Sequence, residues 1–141
     1  YPAALEWLSP SVWDSLDLRV LLLDAAGSYV FDEGNEHVAD LSPGSNELGA
    51  ITGYERKTLG GLDTALVAGR WELLASNVTY TDLGDGESPF PVVQAAVVYE
   101  HVSDDADHRL VAYVESVGGA TNGETATVAW TDGVVLRVAG P

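Results

Sequence analysis

The chain has 141 residues, no cysteine and a formal charge of −16, from 22 acidic and 6 basic residues. That length fits one domain burying roughly 68–70% of its unfolded surface, and a hydrophobic content of 46% excludes a disordered tail. Disulfides, zinc-thiolate sites and thiol nucleophiles are excluded, and so few basic residues argue against nucleic acid or an anionic membrane as partner.

Lys57 is the only lysine. Such acidity favours solubility and suits either a salty host cytoplasm or a GC-rich genome that depletes lysine. No apolar stretch approaches the roughly 20 residues of a spanning helix. Tyr1-Pro2-Ala3-Ala4 lacks the basic region of a secretory signal.

The first 16 residues form a helical, anchoring segment. Leu5, Leu8, Val12, Trp13 and Leu16 recur at roughly helical spacing, interrupted by Pro10. A short helix before Ser9 is expected, then a second turn with Ser9 as N-cap and Pro10 at its first position. A segment this short cannot bury both Trp7 and Trp13 by itself, so it docks on the domain or on a partner. Trp7 and Trp13 are therefore candidate partner-binding residues.

Residues 17–141 read as one β domain. Leu18–Asp24 is short, apolar and bounded by Ala25-Ala26-Gly27, which predicts a buried strand. Residues 28–53 are rich in Gly, Asp, Glu, Asn and Ser and predict a long, partly ordered polar excursion with one helical turn near Val38–Leu41. Connections this long are often functional, and Tyr29 and Phe31 are its candidates for partner contact. Tyr54–Leu62 suits an edge strand. Leu66–Ala68 and Arg70–Leu74 around Gly69 suit a hairpin or a bulged strand. Asn77–Thr81 is β-prone, and residues 83–91, with Gly84, Gly86, Pro89 and Pro91, form a loop.

Val92–Glu100 is nearly all apolar, as in a central strand covered on both faces. An acidic turn at residues 103–107 leads to a strand over Arg109–Glu115, then a Gly-rich loop over residues 116–123. The strongest local signal comes last. Ala126, Val128 and Trp130 alternate, Asp132-Gly133 follows, and Val134, Leu136 and Val138 alternate again, which predicts a tight hairpin. The sum is seven or eight strands in a mainly β, antiparallel sandwich, jelly-roll-like or barrel-like, behind a short N-terminal helix.

Chemistry-bearing patterns are weak. His37, His101 and His108 have no metal-binding spacing and read as isolated surface or rim histidines. Asp82, Asp85 and Glu87 surround a glycine turn as calcium ligands can, but without EF-hand spacing. Asp104, Asp105 and Asp107 form a similar cluster. Acidic turns arise by chance in so acidic a chain. There is no Gly-x-Ser-x-Gly elbow and no phosphate loop. Trp71 and Trp130 lie in apolar runs and read as core rather than as a sugar platform.

The order of segments carries a resemblance. It runs from Asp17–Leu23 through Tyr29, His37 and Asp40 to Gly53-Tyr54 and Thr58-Leu59-Gly60-Gly61. Ala75–Tyr80, Gln94–Tyr99, Leu110–Val114 and Val128–Val138 follow. This pattern resembles a family of small structural proteins, head decoration or minor virion proteins, of tailed phages and related archaeal tailed viruses. The resemblance implies a non-enzymatic virion protein with no catalytic or cofactor residue. The expectation is a capsid decoration, or cement, protein made in the host cytoplasm and bound outside the head shell. Its partners would be the major capsid protein and itself, as a homotrimer. A minor tail or tail-tip protein is the alternative within the virion. A carbohydrate-binding β-sandwich module is the alternative of another class, and a hydrolase comes third.

Overall fold

The computed structural model describes Pro2, Ala4 and residues 8–139, with residues 116–120 and 139 in backbone only. The fold is mainly β. Nine antiparallel strands occur among the described residues: β1 (Leu18–Asp24), β2 (Lys57–Thr58), β3 (Asp63–Val67), β4 (Arg70–Leu74), β5 (Val78–Tyr80), β6 (Val92–Glu100), β7 (Arg109–Ala120), β8 (Ala126–Val128) and β9 (Val134–Ala139). They make a central sheet in the order β2-β1-β6-β7 and two smaller ones, β3-β4-β9 and β5-β8. The sheets pack as a sandwich and do not close into a barrel.

The central sheet is apolar on both faces because β1 and β6 carry continuous apolar runs. On one face Val20, Leu22, Ala96, Val98 and Ala112 meet Leu73, Val78, Tyr80 and Trp130 from the smaller sheets and their connections. On the other, Leu21, Leu23, Ala95, Val97, Tyr99 and Leu110 meet Tyr29, Val38 and Leu41. Residues 28–53 are thus a packed third layer rather than the partly ordered excursion their polar composition suggests. A few buried anchors suffice, each fully buried Val or Leu contributing about 1.5–3 kcal/mol. The layer is also tied by backbone: Val38 N–H donates to His108 O (2.9 Å), Leu110 N–H to Glu36 O (2.8 Å) and Leu48 N–H to Leu22 O (2.9 Å). The expected turn at Val38–Leu41 is present as a 3-10 helix.

The N-terminal segment keeps a helical turn, α1 (Pro10–Trp13), with Pro10 at its start. Ser9 is extended as an N-cap should be, but its hydroxyl meets Ser11 Oγ instead of a backbone N–H. The helix expected before Ser9 lies mostly outside the described residues.

Two expectations fail near the C-terminus. The Gly-rich stretch at 116–120 continues β7, pairing as Val93↔Gly119 and Val92↔Ala120. The terminal hairpin does not form. Asp132 (φ 55°) and Gly133 (φ 77°) do adopt the positive φ the dipeptide favours, but within a 3-10 turn that carries the chain between sheets. β8 pairs with β5 and β9 with β4. Trp130 decides this: it is buried, its N–H donates to Asn77 Oδ1 and its Nε1–H to Ser76 O, both at 3.0 Å. Satisfying a buried indole outweighs a local turn preference.

Candidate functional site

A polar cluster fastens the third layer to the central sheet. Glu47, after the helical turn Pro43–Asn46, accepts from Tyr54 Oη (2.6 Å) and from Arg56 Nε (2.8 Å) and Nη2 (2.6 Å). The same guanidinium donates to both oxygens of Asp105, at 2.5 and 3.0 Å. Arg56 also lies 5.6 Å over the Tyr99 ring. One planar fork therefore joins the third layer, the β2 approach and the turn after β6. The two carboxylates hold Arg56 firmly protonated, and Arg56 holds Asp105 below the usual carboxylate range. Burial and the Glu47 charge push the Tyr54 phenol up, so it stays a neutral donor. With both carboxylates engaged, the cluster offers clamping rather than proton transfer.

His101 and His108 adjoin it. His101 Nδ1 lies 3.1 Å from Nε2 of the buried His108, whose Nδ1 accepts from Val102 N–H at 3.3 Å. They are neither isolated nor both on the surface. They flank the 103–107 turn, and a hairpin reading of residues 99–109 would have placed them together. Burial first, then the His101 charge, lowers the His108 pKa. Asp40 caps the 3-10 turn by accepting from the N–H groups of His37 (2.9 Å) and Glu36 (3.0 Å), and these bonds lower its pKa.

The second site is an open recess of about 530 Å³ lined by Tyr29, Val30, Phe31, Gln94, Tyr113 and Glu115. Phe31 and Tyr113 have ring centroids 5.0 Å apart, and Tyr29 and Tyr113 6.1 Å. The backbone passes from buried Tyr29 to Val30, 81% exposed, and Phe31, 45% exposed. Exposed Asp32, Glu33 and Glu36 follow directly. Two of the four aromatic residues singled out from sequence, Tyr29 and Phe31, thus fall in one place, joined by Tyr113, which sequence reasoning missed.

The others do not join them. Trp13, expected to be available to a partner, is fully buried in the chain's own core, and its Nε1–H donates to Leu74 O at 2.8 Å. Trp7 lies outside the described residues. Asp82 (φ 53°), Asp85 and Glu87 sit in a tight turn, with Asp85 N–H donating to Asp82 O and Glu87 N–H to Gly84 O. Among the described residues no group of three His, Cys, Asp or Glu is arranged to hold a metal ion, and no helix is long and apolar enough to cross a membrane. A further apolar pair, Leu66 and Val67, is exposed at the tip of the β3–β4 hairpin, where Ala68 (φ 49°) and Gly69 (φ 76°) make the turn.

No family model, no curated protein and no solved structure matches this chain.

Proposed function

We propose that this is a non-enzymatic structural protein of a virion, a decoration protein that binds the outside of a head shell through its third layer. The carrying observation is Val30 and Phe31, an exposed apolar pair on a strongly acidic chain, held on a layer that is clamped to the sheet. Adjacent exposed apolar side chains framed by charge suit an interface. The clamp by Arg56 supports the reading, because a preorganised face loses little entropy on binding. The segment resemblance to small virion proteins supports it independently. With Trp13 committed to the core, attachment is assigned to Tyr29–Phe31 in place of an N-terminal clip. Carboxylates over the remaining surface keep decorated particles apart.

The experiment mixes the protein with purified head shells that lack it. Saturable binding is expected, with copies located on the shell by imaging. Phe31→Asp should lower occupancy about tenfold or more while leaving the circular dichroism spectrum unchanged. Attachment confined to tail tips would transfer the reading to a minor tail protein. Glycan binding without particle binding would favour a carbohydrate-binding module. A homotrimer in solution or on the shell is the expected assembly, checked by analytical ultracentrifugation and by the symmetry of the imaged density.

A further inference from the structure

We infer that the recess formed by Tyr29, Phe31 and Tyr113 takes the guanidinium of an arginine presented by the partner protein. The inference rests on the reading above and names the chemical group this face receives.

The lining supplies rings and acceptors. The Tyr113 ring, centroid to centroid, lies 5.0 Å from Phe31 and 6.1 Å from Tyr29 in the recess lining. The faces of such rings carry the negative end of the ring quadrupole, which attracts a cation placed over them. Glu115 brings a carboxylate to the rim, and among the described residues no lysine or arginine lines the recess. Gln94 adds to this. Its Nε2–H donates to Tyr29 O at 2.5 Å, while its Oε1 is buried and accepts no hydrogen bond among the described residues. Being buried, this carbonyl makes no contact with an occupant, but its uncompensated negative end adds to the potential behind the wall that Gln94 helps to line.

The surroundings have the same sign. Asp32, Glu33 and Glu36 follow Phe31 in the chain and are exposed. They steer a basic group toward the recess before it docks. The chain already uses this chemistry internally: Arg56 lies 5.6 Å over the Tyr99 ring and Lys57 5.1 Å over the Tyr80 ring. A guanidinium fits better than an ammonium. Its plane stacks on tilted rings while its edge donates to the Glu115 carboxylate. A neutral or acidic occupant would leave Glu115 facing an apolar or repulsive neighbour.

The test is an NMR titration of the whole chain with acetyl-Gly-Arg-Gly-amide and with its lysine and citrulline counterparts. The arginine peptide should shift the side-chain resonances of Tyr113 and Gln94 with saturation. The citrulline peptide, equal in shape but neutral, should not. Tyr113→Leu and Glu115→Gln should each weaken binding about 5-fold, while Asp14→Asn, a charge loss elsewhere on the surface, should leave it unchanged. Equal binding of the citrulline peptide overturns the inference, as does lysine binding as tight as arginine. Shifts spread over all acidic residues without saturation also overturn it. The titration needs no shell, so its failure is separable from failure of the head-shell reading. Absence of shell binding with peptide binding intact removes only the latter.

Discussion

His101 and His108 are joined ring to ring, with Nδ1 of the first 3.1 Å from Nε2 of the second. Because Val102 N–H donates to Nδ1 of His108, the proton of neutral His108 is assigned to Nε2, which donates to His101 Nδ1. Protonating both rings would set two donors face to face.

Stability should therefore depend on pH in two steps. Burial lowers the His108 pKa below 6.5, so the unfolded chain takes up this proton first. Folding stability from His108 is full above about pH 6.5 and falls as the pH drops toward its folded pKa. Asp40 and Asp105, both lowered from 3.8, add a second loss that begins only below about pH 4. Urea midpoints at pH 8 and 5.5 should differ, and His108→Gln should abolish that difference. An unchanged difference in the variant refutes the assignment.

Arg56→Ala should free the third layer. It strips the shared cation from Glu47 and Asp105, whose side chains are 13% and 35% exposed. Losing one partner of a buried pair costs about 3–5 kcal/mol, and the partial exposure here reduces that to about 2 kcal/mol. Limited proteolysis should then cut within residues 28–53 before the sheet is attacked. Arg56→Lys should recover only part of the protection, because an ammonium cannot hold both carboxylates in one plane.

Trp13→Ala should destabilise the isolated protein by about 3–5 kcal/mol, the cost of emptying a large core site. Trp13→Phe should cost about 1 kcal/mol by stranding the Leu74 carbonyl. Thermal denaturation of the protein alone reads both. A Trp13→Ala variant as stable as the parent would restore this side chain to a partner.

Two glycines with similar φ should respond differently to alanine. At Gly133 (φ 77°) an added Cβ meets only Ala75 O at 3.7 Å, so the cost is the left-handed backbone alone, about 1–2 kcal/mol. At Gly53 (φ 76°) the Cβ would press on the carbonyl oxygens of Thr81 and Asp82, the latter at 2.7 Å. Gly53→Ala should cost clearly more, measured by chemical denaturation of both variants.

Much of the fold was legible where burial and period agree. β1 and β6 have the bounds their apolar runs imply, and the two-sided burial of β6 follows from its lack of alternation. The terminal hairpin was misread because the Asp132-Gly133 turn is a local fact, whereas the partners of β8 and β9 are chosen by Trp130 and the core. Residues 28–53 looked loose because their composition is polar, although four buried side chains, Tyr29, Val38, Leu41 and Leu48, and a ladder of backbone bonds fix them. Of the sites, Tyr29 and Phe31 were visible as isolated aromatics in a polar stretch. Tyr113 was hidden inside a strand, and the Glu47–Arg56–Asp105 bridge joins residues that no local pattern connects.

The recess is built from three distant stretches: Tyr29 to Phe31 on the third layer, Gln94 on β6, and Tyr113 with Glu115 on β7. None of these stretches holds the arrangement alone, so the face exists only after the last layer has closed on the sheet. A copy that is truncated, misfolded or still emerging from the ribosome lacks the face. If this face carries the proposed attachment, attachment is also a check on folding, and defective subunits would be left behind in solution rather than incorporated.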